Sequence, residues 1–233
     1  MRKFYKILGV LWLCVAGVAA AEDQIMVPPV IDSEYVVGDP SAPAVIYEYG
    51  SLTCHVCAGF YKDVLPRILK DFKGKVKVVM RPFPFNALDI AGAQMILHSK
   101  NPHALAMLFY KKQKEWIGAK DQLGAMKAIA KEFGMSDEEI KVSMQNKNLE
   151  NAMLAKRLIV KHTAAPVFKV GKSFLEGMPH PRHLKILLER FAYHVVECGN
   201  PIEDFDAYKE FDKMAEEEEP EEESKDKKSD DTK

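Results

Sequence analysis

The sequence predicts an α/β chain built as a β-α-β unit, a helical insertion and a β-β-α unit. Three observations predict it. Two Val-rich runs, Ala44–Tyr49 and Lys75–Arg81, bracket an amphipathic stripe. A long block follows in which helical periodicity replaces strand signals. Two short apolar runs hinged on Gly171-Lys172 then lead into a last amphipathic helix. The domain is expected over residues 35–195, with the insertion at about 86–162.

Each element has its own signal. Ala44–Tyr49 and Lys75–Arg81 combine Val with β-branched or aromatic neighbours, as strands do. Between them, Phe60, Val64, Ile68 and Phe72 form one helical stripe over 58–72, and Gly74 stops it. Pro66 lies inside that stripe and is expected to kink the helix. A right-handed crossover makes the two strands parallel. In the insertion, helices are expected over 88–99, 103–116 behind Pro102, 120–133 ended by Gly134, and 148–161. Ser136 and Glu139 form a capping box that opens a further helix to about Gln145. Met95, Met107, Met126, Met135, Met144 and Met153 are scattered through this block and read as adaptable core filling. Pro166–Val170 and Ser173–Leu175 are the late strands, and Pro181 opens a helix over 183–193. No proline lies between Pro201 and Pro220, so a short helix through Phe205, Tyr208 and Phe211 is allowed, its aromatic side packing back on the body.

The two ends differ from the body. Arg2, Lys3 and Lys6 precede a short apolar run, Ile7–Ala21, that closes on Ala19-Ala20-Ala21. This is the layout of a secretory signal peptide over residues 1–21. The run is shorter than the roughly 20 residues a membrane span needs. Cys14 lies within it, beside a Leu13 too bulky for a lipidation signal, and leaves with the peptide. Residues 216–233 carry ten acidic and four basic side chains without one aromatic or aliphatic residue, which predicts a disordered acidic tail. The formal net charge of the whole chain is −1, and no basic stripe argues for nucleic acid.

The chemistry is concentrated in Cys54-His55-Val56-Cys57, where the first run meets the helical stripe. A cysteine at a helix N-terminus sits among free N–H groups and the positive end of the helix dipole, and both favour a thiolate. A second thiol one turn later can resolve the attack of the first. A purely structural bridge of this length closes too small a loop to stabilise much through chain entropy. A zinc site needs further ligands at metal-site spacing, and no second Cys-x-x-Cys exists. Neither a cofactor nor a metal is expected. Cys198 is the odd thiol, expected free or buried ahead of the alternative of an intermolecular bridge.

Together these residues resemble a known family. Tyr49-Gly50-Ser51-Leu52-Thr53-Cys54 leading to Cys57-Ala58, then Arg81-Pro82-Phe83-Pro84, then Pro166 before the late hairpin, occur in the order found in the DsbA-type thiol:disulfide oxidoreductases of bacteria. The resemblance covers about Tyr35 to Ala192. It implies a thioredoxin fold whose helical insertion separates the β-α-β and β-β-α halves. It also implies a periplasmic protein that exchanges a Cys54–Cys57 disulfide with cysteine-containing exported proteins and is reoxidised by a membrane, quinone-linked partner. Cys54 is then the nucleophile, Cys57 the resolving thiol and Glu48 a buried proton relay beneath them. Ala165 and a cis Pro166 offer backbone groups to an extended substrate. By strand alternation alone Glu48 could equally face outward. A cationic His55 beside Cys54 would favour its thiolate. His55-Val56 stands where the family's oxidant has Pro-His, Ala165 stands where Val or Thr is usual, and the stretch from Pro166 to Gly171 is one residue shorter. An oxidase is the leading expectation. A disulfide isomerase, or a thioredoxin-like chaperone with a structural Cys-x-x-Cys, stays open.

Overall fold

The computed structural model describes residues 33–218. The expected signal peptide 1–21, with Cys14, and residues 219–233 of the expected tail lie outside the described residues.

Five strands form one mixed sheet: β1 Tyr35–Val37, β2 Ala44–Gly50, β3 Val76–Pro82, β4 Val167–Val170 and β5 Ser173–Glu176, in the spatial order β1-β3-β2-β4-β5. β2 and β3 run parallel, as a crossover requires, and the other pairs are antiparallel. The short β1 was not expected from the sequence. It pairs Tyr35 with Met80 and Val37 with Val78. The hairpin β4–β5 turns on Gly171, whose φ of 60° suits glycine.

The β2–β3 crossover begins as α1, His55–Gly59, passes through a π-helical turn at Phe60–Val64, and continues as α2, Leu65–Asp71. Pro66 has no N–H to donate one turn back, and its ring would crowd the carbonyl of Lys62. The π turn relieves this by sending the Leu65 N–H to the Phe60 carbonyl. The inserted residue also shifts the stripe: Leu65 is fully buried where Val64 was expected, and Val64 is only half-buried.

The insertion comprises α3 Ala87–His98, α4 Pro102–Lys111, α5 Gln113–Ile117, α6 Gln122–Glu132, α7 Asp137–Met144 and α8 Lys147–Val160. Ser136 and Glu139 form the expected capping box at α7. The helix expected over 103–116 is broken at Lys112, and the break turns Gln113 and Trp116 inward. Met95, Met126, Met135 and Met153 fill the core, whereas Met107 and Met144 are half-buried. α9, Pro181–Ala192, completes the second half, and α10, Ala207–Glu218, follows it.

α10 enters the segment expected to be a disordered tail. Both carboxylate oxygens of Glu217 accept from Arg190 Nη2, at 2.8 and 2.7 Å, so the acidic run is anchored at its start. Phe205 and Met214 are buried and Phe211 packs against the core, while Tyr208 stays exposed and hydrogen-bonds the Phe174 carbonyl through its hydroxyl.

Strand alternation sorts the sheet's two faces. Ala44 and Ile46 of β2, Val78 and Met80 of β3, and Phe168 and Val170 of β4 join the main core beneath α1, α2 and α9. Tyr49, Phe83, Val167 and Phe174 form a second cluster on the other face, with Val160 at the end of α8. Among the described residues no helix is long and apolar enough to cross a membrane.

Candidate active site

β2 ends at Gly50, and the loop Ser51-Leu52-Thr53 delivers Cys54 to the start of α1. Cys54 is the N-cap residue, with the extended backbone such a position needs (φ −80°, ψ 120°). Its Sγ accepts from the Cys57 N–H at 3.4 Å and donates to the Ala165 carbonyl at 3.2 Å. The side chain is half-buried, whereas Cys57 is completely buried one turn below. Both are free thiols, so the structure is the dithiol form.

The two thiols are driven apart. The Cys57 side chain hydrogen-bonds Cys54 Sγ and, against the cost of partial burial and with help from the N–H groups of Cys57 and Val56, brings the Cys54 pKa down to about 6. Burial pushes the Cys57 thiol far above its ordinary range, and the same hydrogen bond and the charge of Glu48 add to the rise. One thiol is thus an accessible thiolate near neutral pH, and the other ionises only when a base takes its proton. The Ala165 carbonyl can accept only from the protonated Cys54, so it works against the thiolate.

Glu48 faces inward. Its position is set by register: it pairs with Met80 on one side and Phe168 on the other, both in the main core. The side chain is buried, and burial first, then the nearby Cys54 charge, raises its pKa from 4.5 to about 8. Oε1 has no hydrogen-bond partner among the described residues. Glu48 lines a cavity of about 20 Å³ with Tyr35, Tyr61 and Tyr110, which is room for about one water. A Cβ on Gly50 would lie 2.2 Å from Glu48 Oε1, so the glycine makes the space for this carboxyl.

His55 is the first residue of α1 and is exposed. Its charge is the smallest of the influences on Cys54, behind the Cys57 side chain and the backbone N–H groups. On the opposite wall, the Ala165–Pro166 bond is cis, and the Pro166 carbonyl accepts from the Gly177 N–H at 2.8 Å. The structure therefore brings Cys54, Cys57, Glu48, Ala165 and Pro166 into one site and leaves His55 at its rim. The Arg81-Pro82-Phe83-Pro84 stretch borders the Glu48 cavity, while the Arg81 and Phe83 side chains pack with Tyr49 toward the other face of the sheet. There Arg81 donates to Tyr49 Oη at 2.7 Å and to Glu34 Oε2 at 2.6 Å, and Lys156 donates to that same oxygen at 3.0 Å. This cluster fastens the start of the described chain and α8 to β3.

Buried side chains of the insertion also reach the active-site loop. Asp89 accepts from Ser51 Oγ, the Thr53 N–H and the Phe85 N–H, each at 2.9 Å, and from Thr53 Oγ1 at 3.2 Å. Gln113 Nε2 donates to the carbonyls of Leu52 at 2.7 Å and Cys54 at 3.0 Å. Asp89 carries a weak sequence signal, because Asn86 caps α3 and an acid in the first turn is usual there. Gln113 carries none.

The thioredoxin family matches residues 31–190. The chain belongs to the thioredoxin family. Similar proteins are found by fold and, over a shorter stretch, by sequence. Alpha-DsbA1 of Wolbachia pipientis superposes with a TM-score of 0.66 at 17% identity, covering 74% of this chain and 98% of that one. A protein-disulfide isomerase from Novosphingobium aromaticivorans gives 0.60 at 18% identity, covering 70% and 99%. Disulfide bond formation protein D of Bacillus subtilis is 39% identical over 57 residues, a match that spans 24% of this chain and 26% of that protein. The thioredoxin fold with a helical insertion between its two halves is the architecture the sequence predicted.

Proposed function

We propose that this protein is a thiol:disulfide oxidoreductase that exchanges its Cys54–Cys57 disulfide with the thiols of other proteins, chiefly as an oxidase. The observation that carries this reading is the split between the two thiols: Cys54 half-buried and acidic at a helix N-terminus, Cys57 buried and basic beneath it. The family relationship and the named activities of the similar proteins support it.

In the oxidising direction a client thiolate attacks Cys54 Sγ and breaks the Cys54–Cys57 bond. Cys57 leaves as a thiolate and takes the proton held by Glu48, whose raised pKa makes it a donor near neutral pH. A second client thiolate attacks the client sulfur of the mixed disulfide, and Cys54 departs as a stabilised thiolate. Two electrons pass from the client dithiol to the protein, and the client gains one disulfide. The low pKa of Cys54 favours the reduced product and so makes the disulfide an oxidant. An extended client would pair with the backbone at Ala165, opposite Cys54 Sγ.

The reading extends to the protein's setting. The segment 1–21 acts as a signal peptide, the site of action is the periplasm, the clients are cysteine-containing exported proteins, and a membrane, quinone-linked partner regenerates the disulfide.

The test is trapping. Cys57→Ser, mixed with a disulfide-bearing client, accumulates a mixed disulfide through Cys54, and Cys54→Ser accumulates none. A Cys54→Ser protein that still exchanges disulfides contradicts the assignment. Correction of scrambled disulfides faster than oxidation of reduced clients would make the protein an isomerase, and client binding without exchange would make it a chaperone.

A further inference from the structure

The insertion does more than cap the fold. The loop Ser51–Cys54 is held from the insertion side, and its polar groups find partners on three different helices. Thr53 N–H and Ser51 Oγ go to Asp89 of α3. The Ser51 carbonyl accepts from Tyr110 Oη of α4 at 3.3 Å. Both hydrogens of Gln113 Nε2, at the start of α5, are used on the carbonyls of Leu52 and Cys54, the residues on either side of Thr53.

Of these contacts, the one from Gln113 to the Cys54 carbonyl reaches the reacting residue itself. The same carbonyl accepts the Ala58 N–H at 3.2 Å, a bond of the first turn of α1. Cys54 Sγ meets the Cys57 N–H at 3.4 Å, an ordinary length for a bond to sulfur, and this contact depends on where the Cys54 backbone is held. The side chain of Gln113 is itself buried, held by the break at Lys112 that separates α4 from α5.

We propose that Gln113 is a positioning residue for disulfide exchange: its side-chain amide, supplied by the helical insertion, pins the Leu52 and Cys54 carbonyls and so holds Cys54 Sγ against the N-terminus of α1. This rests on the reading of Cys54 as the attacking thiol. The insertion then tunes the reactivity of a cysteine carried by the other part of the domain. Loss of the amide frees the loop, weakens the thiolate's contact with the Cys57 N–H, slows attack and destabilises the reduced form relative to the disulfide.

Two variants test this. Gln113→Met keeps the length of the side chain and removes both N–H groups; Gln113→Asn keeps an amide but withdraws it by one bond, and serves where Met does not fold. The readouts are the rate of Cys54 alkylation by iodoacetamide at neutral pH and the equilibrium constant of the dithiol–disulfide pair with glutathione, each alongside a melting curve. The expected result is a fall of about two- to tenfold in alkylation rate, the range of one net hydrogen bond, with the equilibrium moved toward the disulfide by a similar factor. A folded variant that matches the wild type in rate and equilibrium, even with a lower melting temperature, overturns the proposal and leaves Gln113 a purely structural residue. If the wild-type protein itself exchanges nothing with glutathione, the oxidoreductase reading fails instead.

Discussion

Glu48→Gln separates the buried acid's chemistry from its packing. The native carboxyl has its pKa raised from 4.5 to about 8, first by burial and then by the Cys54 charge. Below the lower value the folded and unfolded chains both hold the proton, and stability is independent of this group. Between the two values only the unfolded chain ionises, so stability falls as pH rises, and the loss levels off above the upper value. Each pH unit inside the window corresponds to about 1.4 kcal/mol, so the change between pH 5 and pH 7 is on the order of 3 kcal/mol. Urea unfolding of the disulfide form across that range is the assay, because neither active-site thiol titrates there. The wild type should lose stability steadily, while the Gln variant should be flatter by that amount and more stable at neutral pH. The window ends at about 8 in the dithiol form, where the Cys54 charge adds to burial, and lower in the disulfide form, so about 3 kcal/mol is the upper bound there. Parallel curves for wild type and variant would refute the buried-acid argument.

Other outcomes follow from the same geometry. His55→Ala should raise the Cys54 titration midpoint, followed by thiolate absorbance, by less than Cys57→Ala does, because the Cys57 side chain is the largest influence and His55 the smallest; the reverse order contradicts the assignment. Gly50→Ala brings a methyl group to 2.2 Å from Glu48 Oε1 and should cost about 1–3 kcal/mol in chemical unfolding; a neutral result would show that the carboxyl moves freely. Because Cys54 is lowered from 9.0 to about 6, the stability of the dithiol form relative to the disulfide form should rise with pH across that window, as paired unfolding curves would show. Truncation after Glu218 should leave the melting temperature unchanged, whereas truncation before Glu216 also removes the Glu217–Arg190 pair and should cost less than about 1 kcal/mol.

Much of this was legible in the residues, for physical reasons that also mark where legibility stops. Periodicity located β2, β3 and the helices of the insertion, and Gly171-Lys172 located the hairpin, because these signals are local. Strand alternation gave Glu48 two faces to choose from, and only the pairing with Met80 and Phe168 decided between them. The π turn was hidden because Pro66 signals a disturbance without saying that a residue is added ahead of it. β1 is three residues long, too short for a period of two to show. His55 acts on Cys54 in the expected direction but ranks last among the influences, and chain proximity alone gives no such ranking. Gln113 was invisible, since a bond between residues 59 apart in sequence leaves no local trace.

The reduction potential of the Cys54/Cys57 pair, measured by equilibration with glutathione at pH 7, tests the central claim most directly. Lowering the nucleophile's pKa stabilises the dithiol, and one unit corresponds to about 30 mV. With Cys54 at about 6, below the value of about 7 found in thioredoxin, thiolate stabilisation at pH 7 should make the pair about 20 mV more oxidising than thioredoxin's −270 mV or so, since thioredoxin's own thiol is already half ionised there. A potential at or above about −250 mV supports an oxidant built on the Cys54 thiolate, and one at or below about −270 mV would contradict it.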